Sequence, residues 1–216
     1  MDAVSVAPVR HLPATVRGAR TRAALVAAAR KVFERDGYLD AKLTDIAKLA
    51  GCATGSFYTY FTNKEEIFAA VLEQAQQDMM HPGMGRVGGS DDPYAVLEAS
   101  NRAYLDAYRR NAKLMGLLEQ VAQIDPGFRA FRARRADAFI QRNAAGIADL
   151  QERGIAGADV DPLLASQALS GMVSRLAYSI FVAGEVPEGP GADFETLVHT
   201  VTRLWANALQ FRWTNN

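Results

Sequence analysis

The sequence has very few of the side chains that build disulfides and metal sites. It contains one cysteine, Cys52, and three histidines, His11, His81 and His199. A single cysteine excludes an internal disulfide and any multi-cysteine metal centre, and it fits a reducing cytosol. The histidines lie in separate segments, without the close spacing that a histidine-based metal site needs. We therefore expect no metal and no cofactor.

Long apolar runs are also missing. The most apolar stretch, residues 163–182, is interrupted by the polar and charged side chains Ser166, Gln167, Ser170, Ser174 and Arg175. A membrane span needs about 20 mostly apolar residues, so this stretch is better interpreted as a buried helix. The opening residues hold Asp2 and two prolines and lack the apolar core of a secretory signal. These absences predict a cytoplasmic protein without a membrane partner.

The chain has no net charge, but its charges are unevenly distributed. It contains 24 basic and 24 acidic side chains. Residues 1–64 hold ten basic and five acidic side chains, a net charge of +5, which the remaining residues balance with −5. An offset of this kind indicates a DNA-facing module joined to a part that need not touch phosphates, although solvated faces alone can produce it.

Helical periodicity runs through most of the chain, and no alternating strand pattern of useful length is present. Residues 1–17 contain two prolines without sustained periodicity and are interpreted as a flexible arm. The next predicted helices are 20–36, closed by Gly37; 44–50, capped by Thr44 and ended by Gly51; 54–60; and a fourth that opens with the capping pair Asn63 and Glu66 and runs to about Met80.

A loop rich in glycine and proline is predicted at 81–92, and three Asp-Pro pairs punctuate the chain beyond it. Asp is a favoured N-cap and Pro is tolerated at the first helical position, so each pair can start a helix. The predicted helices are 93–110, 112–123, 126–153, 162–183 and 193–212. We predict an all-α fold with an arm (1–17), a three-helix DNA-binding domain (18–64) and a helical-bundle domain (65–216).

The helices predicted at 44–50 and 54–60 are short and are joined by a turn that contains Gly51. With the helix at 20–36 they match a helix-turn-helix, whose second helix lies in the DNA major groove. Gly55 falls inside that second helix, where glycine costs about 1 kcal/mol relative to alanine. A close approach of the backbone to DNA would compensate for this cost. The alternative interpretation of the segment is a loop without a function.

The run from Leu43 to Phe68, LTDIAKLAGCATGSFYTYFTNKEEIF, resembles the DNA-binding signature of TetR-type repressors. Ala28, Phe33, Gly37 and Tyr38 fit the first helix of that signature. The resemblance covers about residues 20–70, and the rest of the chain agrees only in being helical. It implies a homodimer whose two heads bind a palindromic double-stranded DNA operator, and a C-terminal domain whose small-molecule effector releases the DNA.

The resemblance also assigns roles within the run. It implies that Thr44 and Lys64 each meet a phosphate at the start of a helix. The implied reading helix contributes Thr54, Gly55, Ser56, Tyr58, Thr59 and Tyr60, whereas Ile46, Ala50, Phe57 and Phe61 belong to the core. Cys52 is expected to be buried and inert, with redox sensing as the alternative interpretation.

Two departures from the family pattern weaken the expected phosphate contacts. Ala53 and Thr54 stand where the family often has serine and lysine. The basic residues Arg17, Arg20 and Arg22 are placed before the first helix, where they can reach the minor groove and compensate; a solvated tail is the alternative interpretation.

The remaining predictions concern the C-terminal helices. The resemblance places a four-helix dimer interface at 162–183 and 193–212, with apolar stripes formed by Leu169, Met172, Leu176 and Ile180 and by Leu197, Val201, Leu204, Ala208 and Leu209. Core packing explains such stripes equally well. Candidate ligand-lining residues for an apolar or acyl-type effector are Tyr104, Tyr108, Met115, Leu118, Phe131, Phe139, Met172 and Tyr178, with core packing again the alternative.

A basic cluster, Arg129, Arg132, Arg134 and Arg135, has two interpretations: a solvated helix face or a site for an anionic ligand. The sequence favours neither of two other classes of function. No catalytic triad, phosphate-binding glycine loop or metal constellation supports an enzyme. An architectural or non-specific DNA-binding protein needs a basic surface over most of its length, and the net charge of −5 beyond residue 64 opposes it.

Overall fold

The regular secondary structure of the chain is helical. The computed structural model describes residues 15–80, 92–185 and 193–211, and no strand occurs in these ranges. The helices are α1 (Val16–Asp40), α2 (Leu43–Leu49), α3 (Thr54–Tyr60), α4 (Lys64–Met80), α5 (Pro93–Arg110), α6 (Ala112–Ile124), α7 (Pro126–Glu152), α8 (Pro162–Phe181) and α9 (Phe194–Ala208). The predicted all-α class is confirmed. Within the described ranges no helix is long and apolar enough to cross a membrane.

Aspartate caps start the later helices as the sequence predicts. The Asp92 carboxylate accepts from the Tyr94 amide at 3.0 Å, Asp125 from Phe128 at 3.0 Å and Asp161 from Leu164 at 2.8 Å. Each bond satisfies an amide that has no partner inside its helix, while the following proline has no amide to satisfy. Asp193 caps α9 in the same way through the Thr196 amide, at 2.8 Å.

The first helix begins earlier than predicted. Thr15 is its N-cap, with the side-chain oxygen accepting from the Gly18 amide at 3.1 Å, so Val16 and Arg17 are helical and do not belong to the arm. The rest of the predicted arm, 1–14, and residues 81–91 of the predicted loop lie outside the described residues. Gly37 interrupts α1 in the left-handed region at φ 78°, which explains why the helical pattern of the sequence stops there.

The second helix differs from its prediction in its cap. Its N-cap is Lys42, which makes no side-chain capping bond, and Thr44 lies inside the helix. The assignment of Thr44 as the N-cap is therefore wrong. The other end agrees, because Gly51 has a φ of +71° and the Cys52 amide donates to the Ala47 carbonyl at 3.0 Å. Cys52 is half-buried.

The chain divides into two compact units. The first comprises residues 1–77 and 113–132, and the second 78–112 and 133–216. The division places α4 up to Gln77, together with α6 and the start of α7, in the unit that holds α1–α3. The domain boundary predicted between residues 64 and 65 stays a prediction.

The first unit has an aromatic core. Phe68 of α4 packs against the rings of Phe33, Tyr38 and Phe128, at centroid distances of 4.8, 4.9 and 5.3 Å. Phe33, Phe68 and Phe128 are at most 1% exposed. Aromatic pairs at these distances stabilise by about 0.5–1.5 kcal/mol beyond the burial of their area. This core fixes α1 and α4, which flank the two short helices.

The second unit is organised around α5, which packs against α8 and α9. A buried hydrogen bond joins α5 to α9, with the Asn101 amide donating to the Thr202 hydroxyl at 3.1 Å. The Thr202 hydroxyl donates in turn to the Val198 carbonyl at 2.8 Å, so both buried polar groups have partners.

Candidate nucleic-acid interface

The third helix has an apolar side and a polar side. Phe57 is fully buried, with its ring centroid 5.8 Å from that of the buried Phe61. Thr54, Gly55, Tyr58 and Thr59 are exposed, whereas Ser56 and Tyr60 are half-buried. Tyr58 leaves 51% of its surface exposed, and its ring lies edge-on to Phe57 at 5.4 Å. The helix is thus anchored through phenylalanines and presents hydroxyl groups outward.

Gly55 has no structural requirement inside the chain. Its backbone is helical, and a Cβ atom added there would meet nothing within 4 Å. A glycine in a helix nevertheless costs about 1 kcal/mol relative to alanine. The chain itself therefore shows no packing reason for a glycine at this position.

The turn before α3 follows directly from α2, which contacts both α1 and α3. Ile46 and Ala47 are buried, while Thr44 is exposed on the first turn of α2. Three of the four predicted core residues, Ile46, Phe57 and Phe61, are fully buried, and Ala50 is half-buried. The two short helices are thus fixed by a shared core and leave Thr44 and the hydroxyls of α3 on the surface.

Lys64 has partners that the sequence does not reveal. Its Nζ donates to the carbonyls of Leu39 and Ala41 at 2.9 and 3.3 Å, and it lies 5.1 Å from the centroid of the Tyr38 ring. Lys64 therefore closes the connection between α1 and α2. A lysine ammonium has three donors, so the phosphate contact implied for Lys64 stays a prediction.

The neighbours of Lys64 complete a small polar group. Tyr38 donates its hydroxyl to Glu65 Oε1 at 3.1 Å. Burial and then the charge of Glu65 raise the pKa of Tyr38 well above its usual value, so the phenol stays protonated and remains a donor. Glu66 accepts from the Thr62 amide at 2.6 Å, and Asn63 accepts from the Glu66 amide at 2.8 Å. The predicted capping pair at the start of α4 is therefore present.

The basic residues near the N-terminus lie on a helix. Arg17, Arg20 and Arg22 belong to α1, so their placement before the first helix is wrong. The Arg22 guanidinium lies 5.0 Å from the centroid of the Phe61 ring, beside the end of α3, and Arg20 is exposed. Thr15 caps α1 far enough upstream to include all three residues.

The predicted ligand-lining residues are distributed over both units. Tyr104, Tyr108 and Phe139 come together in the second unit, with Tyr104 centroids 5.9 Å from Tyr108 and 5.4 Å from Phe139. Met115, Leu118 and Phe131 are buried in the first unit, while Met172 and Tyr178 are half-buried on α8. The Arg175 guanidinium lies 5.6 Å from the Tyr178 ring centroid.

The predicted dimer residues are exposed to different degrees. Leu204 is 45% exposed and Ala208 is exposed, and Leu169, Leu176, Ile180 and Leu197 are half-buried. Val201 and Leu209 are buried within the chain, at 0% and 2% exposure, so their assignment to the interface is wrong. The stripe drawn through Val201 combines the inward side of α9 with its outward side.

The basic cluster of α7 is not one site. Arg129 donates to the Ala122 and Gln123 carbonyls at the end of α6, and Arg132 pairs with Glu119 at 2.6 Å. Arg134 is exposed. Arg135 instead lies near Phe139, as does Arg142, which the sequence analysis missed. The sequence spacing of residues 135, 139 and 142 could have predicted that these side chains lie together, because residues three and four apart lie on one face of a helix.

Comparison with known proteins supports the features described above. Residues 25–71 match the family model described as bacterial regulatory proteins, tetR family. The HTH-type transcriptional regulator EthR of Mycolicibacterium smegmatis is 24% identical over 189 residues, which cover 87% of this chain and 85% of that protein. TtgR of Pseudomonas putida, also an HTH-type transcriptional regulator, is 26% identical over 167 residues, which cover 72% and 78%.

The fold is shared with solved structures. The fatty acid degradation regulator FadR of Bacillus halodurans superposes with a TM-score of 0.72 at 20% identity, over 89% of this chain and 97% of that one. A transcriptional regulator of Rhodococcus gives a TM-score of 0.68 at 22% identity, over 88% and 96%.

The two short helices, the outward hydroxyls of α3 and these relatives define a helix-turn-helix transcriptional regulator that binds DNA. The match to the tetR family model covers residues 25–71, which include part of α1, all of α2 and α3 and the start of α4. Its relatives are regulators rather than enzymes.

Proposed function

We propose that the chain is a repressor that binds a palindromic operator through α3. The supporting observation is the outer face of that helix, where Gly55 has no packing requirement inside the chain and shares the surface with the exposed residues Thr54, Tyr58 and Thr59. Thr54, Ser56, Thr59 and Tyr60 contact base edges and sugars, and Tyr58 contacts a phosphate. Base contacts specify the sequence, while phosphate contacts fix the register.

Residues beside α3 complete the proposed contact surface. Thr44 donates to a phosphate from the exposed side of α2, and the third donor of Lys64 reaches another. Positive charge comes from Arg20, which is exposed on α1, and from Arg22, which lies next to the end of α3. These two arginines replace the lysine that the family often has at position 54, where this chain has threonine. Arginine side chains near a phosphate backbone add salt-sensitive affinity.

The proposal includes a homodimer formed by α8 and α9. Two half-sites of a palindrome require two reading heads related by a two-fold axis. The residues proposed for the contact are Leu169, Leu176, Ile180, Leu197, Leu204 and Ala208, none of which is fully buried within the chain. Because the regulator acts on DNA, the proposal also places it in the cytoplasm.

The effector is proposed to bind in the second unit, against the aromatic group of Tyr104, Tyr108 and Phe139. Aromatic side chains with a few polar groups are typical of small-molecule sites. One structural neighbour is named as a regulator of fatty acid degradation, which suits the proposal of an apolar or acyl-type ligand.

The experiment is a gel-shift titration with the DNA upstream of the chain's own gene. We expect a dissociation constant in the range of about 10⁻⁸ to 10⁻¹¹ M, weakening steeply with salt. The control is a scrambled duplex of equal length and composition. Equal affinity for both duplexes would contradict sequence-specific binding.

A further inference from the structure

Two arginines of α7 lie near one aromatic ring in the second unit. The Arg135 and Arg142 guanidinium carbons are 5.7 and 5.0 Å from the centroid of Phe139. Both side chains are half-buried, and their Nε atoms are buried without a hydrogen-bond partner. A buried polar group without a partner costs free energy, and a buried charge costs more.

Neither arginine has an acidic partner among the described residues. Arg142 donates to the Met80 carbonyl at 3.0 Å and to Asn143 Oδ1 at 3.4 Å, and Arg135 donates to the Met79 sulfur at 3.0 Å. Arg142 also donates to the Met80 sulfur at 3.9 Å, and all four acceptors are neutral. Several other guanidinium groups bind carboxylates, as Arg102 does with Glu98 and Glu195 at 3.0 and 2.5 Å.

This distribution reverses the usual electrostatic pattern. Exposed arginines need a carboxylate least, because water solvates their charge, and buried arginines need it most. Arg132, at 43% side-chain exposure, has a carboxylate, whereas Arg135 and Arg142, whose Nε atoms are buried without a partner, have none among the described residues. The missing negative charge is therefore expected from a bound molecule.

The third polar group of the cluster is the Tyr104 hydroxyl. The Tyr104 ring lies edge-on to Phe139 at 5.4 Å, and both guanidinium groups act electrostatically on the phenol. Desolvation raises the pKa of Tyr104, so its hydroxyl is a neutral donor. Burial lowers the pKa of Arg142. The guanidinium keeps its charge, because the usual pKa of arginine is very high. The cluster thus carries two positive charges and one further donor.

We propose that Arg135, Arg142 and the Tyr104 hydroxyl bind the carboxylate of a small organic acid, whose apolar body lies along the rings of Tyr104, Tyr108 and Phe139. The planar guanidinium matches a carboxylate with two parallel hydrogen bonds. This rests on the proposed function in one respect, namely that the bound acid is the effector.

The test is calorimetric titration of the full-length protein with octanoate, decanoate and 4-phenylbutyrate, beside octanamide and octyl phosphate. At least one acid is expected to bind with a dissociation constant below about 1 mM. Octanamide is expected to bind at least about tenfold more weakly than octanoate. Arg142→Gln and Arg135→Gln are each expected to weaken acid binding by about 10- to 100-fold. The matched control is Arg134→Gln, an exposed neighbour on the same helix, which should leave it unchanged.

Four results would overturn the proposal: no binding by any of the three acids, equal binding of octanamide and octanoate, tighter binding of octyl phosphate, or equal losses in the Arg134→Gln control. A purely structural role of Arg142 would appear as a drop in Tm of more than about 4 °C in Arg142→Gln without any acid, and it would also overturn the proposal.

The gel-shift titration separates this proposal from the proposed function. Arg135→Gln and Arg142→Gln should bind the operator like the wild type when no acid is present. If the wild type itself does not prefer the operator, the repressor proposal fails, while acid binding measured by calorimetry would still establish the carboxylate site.

Discussion

Two helices of this chain, α4 and α8, are both rich in apolar residues but bury them very differently. In α4 the apolar residues Ile67, Phe68, Ala69, Ala70, Val71, Leu72, Ala75 and Met79 are buried. In α8, which is three residues longer, the buried residues are Ser166, Val173 and Ala177. Leu163 and Leu164 of α8 are 43% and 66% exposed.

The difference shows which apolar surfaces are buried within a single chain and which stay accessible to a partner. The α4 helix fills the interior of its own chain, so its apolar residues contribute to folding. The α8 helix keeps most of its apolar residues at least partly accessible, as does α9 at Leu204. Exposed apolar faces of this kind mark interaction surfaces, which is why the proposed dimer uses α8 and α9 rather than α4.

The largest expected effect is a loss of unfolding free energy when leucine is replaced by alanine in α4 but not in α8. Leu72→Ala in α4 removes a fully buried side chain and should lower the free energy of unfolding by about 2–5 kcal/mol. Leu164→Ala in α8 should change it by less than about 0.5 kcal/mol. Urea denaturation of the two variants measures both values. Equal losses would show that burial within the chain does not distinguish the two helices.

The next effect concerns the dimer. Leu204→Glu places a charge on the exposed side of α9, and an unpaired charge at an interface should weaken dimerisation by about 2–3 kcal/mol, or roughly 100-fold. Light scattering coupled to size-exclusion chromatography measures the mass. Ile124→Glu, at an exposed aliphatic position of the first unit, is the control and should leave the mass unchanged. A Leu204→Glu protein that stays dimeric at all concentrations would rule out this surface.

A smaller effect is expected for one hydroxyl of α3. Tyr58→Phe keeps the ring that packs on Phe57 but loses the donor to a phosphate, so operator affinity should fall about tenfold. Tyr104→Phe, in the second unit, should leave affinity unchanged in the absence of ligand. Fluorescence anisotropy of labelled operator measures both. An unchanged dissociation constant for Tyr58→Phe would remove Tyr58 from the contact surface.

Much of the fold could be predicted because its signals are local. Asp92, Asp125 and Asp161 cap their helices through amides two or three residues ahead, so a dipeptide is enough to place the helix start. Gly51 marks the end of α2 through a similarly local signal, its φ of +71°, whereas α3 begins after Ala53 without a side-chain capping bond. The cap of α2 could not be placed, because Lys42 starts the helix without any side-chain bond that the sequence would reveal.

The candidate site was harder to predict from the sequence because its contacts join segments that are far apart along the chain. Lys64 binds carbonyls 25 and 23 residues earlier in the chain, which no local pattern reports. Arg142 could not be identified as a site residue from the sequence, because the structure is needed to show that it lies near Phe139 and has no acidic partner among the described residues. Val201 was misassigned since an apolar stripe does not distinguish a side that faces its own chain from one that faces a partner.

The central claim is that the outer face of α3 lies against DNA, and one substitution tests it with two readouts. Gly55→Ala should raise the free energy of unfolding by about 1 kcal/mol, because alanine favours the helix and its Cβ meets nothing in the chain. The same Cβ should obstruct the approach of the helix to DNA and weaken operator binding about tenfold or more.

The matched control is Gly146→Ala, another exposed helical glycine with no atom near its added Cβ, which should gain stability and keep full affinity. The measurement is the pair of values, Tm and operator dissociation constant, for both variants. Opposite changes in stability and affinity for Gly55→Ala alone are the predicted result. A Gly55→Ala protein that is more stable and binds the operator as tightly as the wild type would contradict the claim that α3 is the reading helix.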